Sequence, residues 1–250
     1  MNVTLHDKRS TKISRLRQAP IAMRGHFASA TGREAHAWTR LGAPPPLFSS
    51  YLELQHDVYY LVYLATVAAA LAVYMRACDI SVSEVVGRNW KLSLALGLAS
   101  GAFVTWSVVG RIDSTPHPTG AYFAFEILWR GVLYGIVDAL LLSAFPGLIA
   151  WTLMQRNVAG AGRRISYGIL TLALVVIITA TYHAGYKALQ NVPGISQPEI
   201  GTTIISVPMI ASANPVGSVL AHVSMHLAAV THSYESKDRL PPQVFVGSGK

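Results

Sequence analysis

The chain is poor in charged residues and contains a single cysteine. Charged residues make up 13% of its 250 residues, whereas soluble domains carry about 25%. Cys78 stands alone, which excludes an intramolecular disulfide and a cysteine-based zinc site. Hydrophobic residues make up 52% of the chain, and the mean hydropathy is +0.38. This composition argues against an ordinary soluble domain and indicates a polytopic membrane protein.

The first fifty residues also lack something, namely the short apolar core of a secretory signal peptide. They are rich in arginine and lysine, poor in acidic residues, and close with three prolines, Pro44 to Pro46. We interpret residues 1–50 as a basic, disordered arm, with an organelle transit peptide as the alternative. A basic arm suits an anionic membrane surface. Because no nucleic-acid-binding module accompanies the net charge of +8, we expect the lipid bilayer as partner and no nucleic acid.

Long apolar runs fill residues 51–231. About 20 such residues cross a bilayer as a helix. The sequence therefore predicts an all-α, polytopic membrane helix bundle of about five to seven segments over residues 51–231, with a polar tail at 232–250. We expect an integral protein of the plasma membrane. The predicted segments are Val58–Met75, Trp90–Val109, Ala121–Met154, Ser166–Tyr186, Thr202–Ala213 and Val216–Val230.

Two of these segments do not fit one ordinary crossing. Ala121–Met154 would be roughly 50 Å long against a hydrocarbon core of ~30 Å, and Pro146 predicts a break or kink. A span plus a half-helix and a tight hairpin near Asp138 both fit. The hairpin is favoured, since it would place the basic arm and the Arg156–Arg164 loop on the same, cytoplasmic side. Thr202–Ala213 is short and contains a proline, which predicts a broken or re-entrant segment before the last helix.

Glu126 and Arg130 lie in an otherwise apolar run. A charge at membrane depth costs about 2.5–3.5 kcal/mol on insertion scales, so it usually has a partner or a task. At positions i and i+4 the two side chains share a helix face and can form an ion pair. The pair has two interpretations. It neutralises two costly charges and pins the helix, or Arg130 orients Glu126 to accept a proton from water.

Three histidines accompany this pair. His222 and His226 share a helix face, a spacing that allows two imidazoles to chelate one metal. His183 lies near the end of its segment beside tyrosines, where an interfacial histidine needs no functional explanation. Glu126 with the three histidines would suit zinc, with a position left for water. Alternatively, His183 and either His222 or His226 could ligate haem from two helices.

The order of these groups resembles that of the CAAX-protease and bacteriocin-processing (CPBP, Abi) family of intramembrane endopeptidases. Its signature is Glu-Glu-x-x-x-Arg, then Phe-x-x-x-His, then His-x-x-x-Asn or Asp, each on a membrane helix. Phe125–Gly131 resembles the first motif, Thr179–His183 the second and His222–His226 the third. This chain departs from the signature at Phe125, Thr179 and His226.

The resemblance implies an intramembrane endopeptidase-like hydrolase that acts on a membrane-associated peptide or protein. It implies that Glu126 activates a water, that Arg130 orients Glu126, and that His183, His222 and, by substitution, His226 stabilise the oxyanion. No cofactor is required in that mechanism. Phe125 in place of a glutamate leaves open a non-catalytic scaffold or degenerate family member. A haem or metal carrier is the third alternative.

Overall fold

A computed structural model describes residues 56–190 and 196–234, with side-chain environments for 60–183 and 200–234. The predicted arm at 1–50 and most of the predicted tail lie outside these ranges. All regular secondary structure in the described ranges is helical, which confirms the all-α prediction. Within the described residues, seven helices follow in order: α1 (His56–Ala77), α2 (Val82–Gly87), α3 (Trp90–Arg111), α4 (Gly120–Leu153), α5 (Ala161–Gln190), α6 (Ser196–Ser212) and α7 (Val216–His232).

The helices α1, α3, α4 and α5 are long and apolar enough to cross a membrane, and α6 adds a shorter apolar segment. The predicted fold class, a helical membrane bundle, is thus confirmed. Large apolar side chains are exposed on the outer faces of these helices, where they would contact acyl chains. They include Leu61 and Val73 on α1, Phe103 and Trp106 on α3, and Ile169 and Ile177 on α5.

The polar segment between α1 and α3 contains the short helix α2. Ser81 caps this helix, because its hydroxyl oxygen accepts a hydrogen bond from the amide of Glu84 at 3.1 Å. A Ser-x-x-Glu sequence is a helix-start signal, so the start of α2 could have been predicted from the local sequence.

The predicted hairpin near Asp138 is wrong, because α4 runs unbroken from Gly120 to Leu153. Two π-helical stretches, Ile127–Leu133 and Leu140–Ala144, interrupt its α-helical geometry without turning the chain. Pro146 lies in the first turn after the second stretch. There its missing amide is tolerated, since the preceding backbone has already departed from the α-helical hydrogen-bond pattern.

Burial shows that α4 is the interior helix among the four long ones. Buried residues make up 61% of the membrane-crossing stretch of α4, against 11–33% of the corresponding stretches of α1, α3 and α5. The short helices α6 and α7 pack beside it, joined by the turn at Ala213–Pro215. Functional groups on α4 and α7 are therefore shielded from lipid.

A broken or re-entrant segment was predicted before the last helix. The structure has a short apolar helix there, α6, which continues through Pro208 without a break. The amide of Met209 donates a hydrogen bond to Ser218 Oγ at 3.2 Å, and Ser212 Oγ donates one to the Pro208 carbonyl. Both bonds pair backbone groups next to the proline at membrane depth.

Close packing of small residues holds α7 against α3. A Cβ added at Gly217 would lie 1.9 Å from the Ser93 carbonyl oxygen, and one at Gly97 would lie 2.4 Å from Gly217 Cα. At the same crossing, Ser93 Oγ accepts a hydrogen bond from the Gly217 amide at 2.9 Å and donates one to the Asn214 carbonyl at 2.9 Å. Small residues thus let the two backbones approach closely.

Candidate metal and polar site between α4 and α7

The site forms where α7 crosses α4 at two glycines. A Cβ at Gly135 would lie 3.0 Å from Val223 Cα, and one at Gly131 would lie 2.8 Å from Leu227 Cδ2. The absence of side chains at both positions therefore lets the helices approach closely. Polar residues at i,i+4 spacing line the same contact. On α4 they are Glu126, Arg130, Tyr134 and Asp138, and on α7 they are Ser218, His222 and His226, all of them buried.

Asp138 and the two α7 histidines form the core of the site. Asp138 Oδ2 lies 3.4 Å from His222 Nε2 and 3.5 Å from His226 Nε2. One ligand atom from each residue lies within 4.8 Å of the other two, and all three residues are buried. Among the described residues this is the one group of three or more potential ligands placed to hold a metal ion.

The spacing of these atoms fits a small dication. Zinc bonds of ~2.0–2.1 Å in a tetrahedron place neighbouring ligand atoms roughly 3.3 Å apart. The two observed nitrogen–oxygen separations are close to that value. Two imidazoles and one carboxylate would leave the fourth position for water or substrate, which is the pattern of catalytic zinc sites.

Several polar atoms of the two histidines have no hydrogen-bond partner. They are Nδ1 of His222 and both ring nitrogens of His226. A buried nitrogen without a partner is costly, and most buried polar groups have one. An ion bound between the rings would satisfy His226 Nε2. The weak 3.5 Å contact of this nitrogen with Asp138 Oδ2 is thus compatible with a ligand between them.

Tyrosines from α1 and α4 orient the carboxylate. Tyr63 donates a hydrogen bond from its hydroxyl to Asp138 Oδ1 at 3.1 Å, and Tyr134 approaches the same oxygen at 3.4 Å. Oδ1 is thereby occupied and Oδ2 is left facing the histidines. Such partners fix the orientation of metal-binding carboxylates. The ring of Tyr134 also packs edge-on against His226, with centroids 4.9 Å apart.

Glu126 and Arg130 form the predicted ion pair. Arg130 Nη1 donates a hydrogen bond to Glu126 Oε2 at 2.9 Å, and the two side chains are almost fully buried. Tyr234, just after α7, donates its hydroxyl to the same oxygen at 3.2 Å, and its ring lies 4.6 Å from the guanidinium carbon. The interpretation of a neutralising pair that pins two segments is thus supported by geometry.

His183 lies apart from the metal-capable group. Its Nδ1 is 2.8 Å from the carbonyl oxygen of Thr179, one turn earlier on α5, and its ring packs edge-on against Tyr182. The predicted zinc set of Glu126 with three histidines is therefore not the set that the structure assembles. Within the described ranges, neither Glu126 nor His183 joins the potential ligands of His222 and His226.

Asp138 is the residue that sequence reasoning missed as a ligand. The signal was present, because Asp138 is the third ionisable residue in Tyr122–Leu142 beside Glu126 and Arg130. A charge at membrane depth is expected to have a partner or a task. Asp138 also lies between the two π-helical stretches, and such stretches are frequent at functional sites.

Comparison with known proteins adds no relative to this description. No family model, no curated protein and no solved structure matches the chain.

Proposed function

We propose that this chain is a membrane-embedded, metal-dependent hydrolase of the endopeptidase type, with a dication of the zinc class bound by Asp138, His222 and His226. The observation that supports this proposal most directly is the buried group of one carboxylate and two imidazoles. Their nitrogen and oxygen atoms are separated by distances that suit ligands of one metal ion. The resemblance of Phe125–Gly131 and His222–His226 to endopeptidase motifs supports hydrolysis as the reaction class. A membrane-associated peptide or protein at the plasma membrane is the proposed substrate.

The residues divide the chemistry between them. Asp138, His222 and His226 would hold the ion, which would supply a water of lowered pKa and a Lewis acid for a carbonyl oxygen. Tyr63 holds Asp138 Oδ1 so that Oδ2 faces the histidines. The surrounding helices exclude bulk water, which strengthens electrostatic interactions at the reacting atoms. Arg130 holds the buried Glu126 in place through their ion pair.

A metal-free form of the proposal remains the alternative. In it Glu126 activates the water, and His222 and His226 hold the carbonyl oxygen. The two forms differ in their response to chelators. A tight chelator abolishes turnover only in the metal-dependent form, whereas Glu126→Gln abolishes turnover in the metal-free form.

Metal content tests the proposal directly. The full chain, purified in a non-ionic detergent, is analysed by mass spectrometry for zinc and iron, and the zinc affinity is measured by competition with a chromophoric chelator. We expect one zinc per wild-type chain, and an affinity at least about tenfold lower in Asp138→Asn, His222→Gln and His226→Gln. His183→Gln is the matched control and should bind zinc like wild type.

Three results would contradict the metal-dependent form. Equal zinc affinity in all four variants would remove the site. Iron in place of zinc would move the chemistry from hydrolysis towards oxygen activation, since two histidines and one carboxylate also suit non-haem iron. Hydrolysis of a quenched fluorescent peptide library that survives chelation would transfer the proposal to Glu126.

A further inference from the structure

Arg130 has hydrogen-bonding capacity that its ion pair does not use. Its Nη1 is bonded to Glu126, but Nε and Nη2 are buried without a hydrogen-bond partner. Arg130 is 2% exposed, so bulk water does not satisfy these donors. Unpaired charged donors are among the costliest groups to bury.

The two donors form one recognition edge. Nε and Nη2 lie side by side along the edge of the planar guanidinium, with their N–H bonds parallel. That fork matches the two oxygens of a carboxylate, which it binds through two parallel hydrogen bonds. The Tyr234 ring covers the guanidinium face. The edge, and not the face, is therefore the part of Arg130 suited to a ligand.

The Tyr234 ring that covers the guanidinium belongs to an apolar cluster. It packs with Ala229 and Val230 of α7 and with Phe123 and Ile127 of α4. These surroundings suit a ligand with an acidic end and an apolar body.

We propose that Nε and Nη2 of Arg130 bind the carboxylate of an apolar ligand. Two sources share this chemistry, the free carboxyl end of a membrane peptide and the head of a fatty acid. We call this pair of donors, Nε and Nη2 of Arg130, the anchor, and its proposal depends on Arg130 alone. The additional inference that its ligand is the substrate of the α4–α7 centre rests on the proposed function.

If the α4–α7 centre holds a dication, the charge balance also favours a monoanion at this place. Glu126 and Arg130 cancel each other, whereas a dication on Asp138 would leave one net positive charge. One ligand carboxylate would bring the buried assembly to neutrality, which a low-dielectric interior favours.

Binding of matched acid and amide probes tests the anchor. The full chain in non-ionic detergent is titrated by calorimetry with octanoate and octanamide, and with an apolar acetylated hexapeptide bearing a free or an amidated carboxyl end. We expect at least one acid to bind about tenfold more tightly than its amide. Arg130→Lys keeps a charge opposite Glu126 but loses the fork, so it should bring acid and amide within about twofold.

The outcomes separate the sources and the two proposals. Discrimination by the peptide pair alone identifies a peptide end, and discrimination by the octanoate pair alone identifies a lipid acid. Equal binding of acid and amide by wild type, or discrimination that Arg130→Lys retains, overturns the anchor even if zinc binds. Discrimination lost in Arg130→Lys but kept in a chain without zinc supports the anchor and removes only its link to the metal centre.

Discussion

His226 Nε2 lies 3.5 Å from Oδ2 of Asp138, across the contact between α7 and α4. The two residues are distant in sequence and both are buried, so their meeting depends on how two helices pack. His222, one turn earlier on α7, approaches the same oxygen. This shared carboxylate oxygen makes two histidines and one aspartate a possible metal centre, and it is the basis of the predictions that follow.

Tyr63→Phe should weaken metal binding without removing a ligand. The substitution deletes the hydroxyl that donates to Asp138 Oδ1, so the carboxylate loses its orientation. We expect zinc affinity to fall about tenfold, as is typical for loss of a group that orients a ligand. Competition with a chromophoric chelator measures this. Tyr74→Phe is the control, because its hydroxyl bonds Thr152 at 3.1 Å and not Asp138. Equal loss in both variants would argue against an orienting role.

Glu126 and Arg130 should be strongly coupled in stability. Removal of one partner leaves the other charge buried and unpaired, at a cost of about 3–5 kcal/mol. We expect Glu126→Gln and Arg130→Gln each to be strongly destabilising, and the double variant to lose less than the sum of the two. A double-mutant cycle on detergent-solubilised protein measures the coupling.

The same cycle separates structure from metal binding. Because Glu126 is not among the clustered ligands, Glu126→Gln should keep wild-type zinc affinity as long as the chain is folded. Strict additivity of the two free-energy changes would show that the pair is not formed, and loss of zinc in Glu126→Gln would place this carboxylate in the metal site.

Gly217→Ala should destabilise the bundle. The new Cβ would lie 1.9 Å from the backbone oxygen of Ser93, and no side-chain rotation relieves a backbone clash. We expect a loss of about 3 kcal/mol or more in unfolding free energy, at the upper end of overpacking costs. Gly201→Ala is the control, since its Cβ would meet nothing within 4 Å inside helix α6. It should gain about 0.5–1 kcal/mol. A Gly217 variant as stable as wild type would contradict the α3–α7 crossing.

Asn214→Ala should also lower stability. Its buried amide donates hydrogen bonds to the carbonyls of Val86 and Arg88, and its oxygen accepts one from the Val216 amide at 2.9 Å. Loss of the side chain leaves these groups unsatisfied, so we expect the free energy of unfolding to fall by about 2–3 kcal/mol. Thermal unfolding measures this loss. Asn157→Ala breaks one exposed bond, to the Ala159 amide, and should cost less than about 1 kcal/mol. Similar losses in both variants would contradict a special role for Asn214.

Features that depend on neighbouring residues in one helix could be predicted from the sequence. The long helices α1, α3 and α5 follow from apolar run length, because an unpaired backbone cannot cross lipid. The Glu126–Arg130 pair follows from i,i+4 geometry, and so does the shared face of His222 and His226. Each of these depends on chain spacing and helical pitch alone.

Features that depend on contacts between helices, or on departures from regular helix geometry, could not be predicted from the sequence. The length of Ala121–Met154 and its proline suggested a hairpin, whereas π-helical stretches let α4 continue as one helix. Hydropathy does not report such backbone departures. The predicted partners of the α7 histidines were likewise Glu126 and His183, whereas the ring nitrogens face Asp138.

The amino-acid sequence by itself determined that the chain is a helical membrane bundle with a buried ion pair and a two-histidine face. Only tertiary structure decided which carboxylate meets those histidines. The reason is steric. Gly135 admits α7 next to Asp138, and Gly97 and Gly217 set the crossing with α3. Side-chain volume at helix contacts, and not spacing along the chain, therefore selects Asp138.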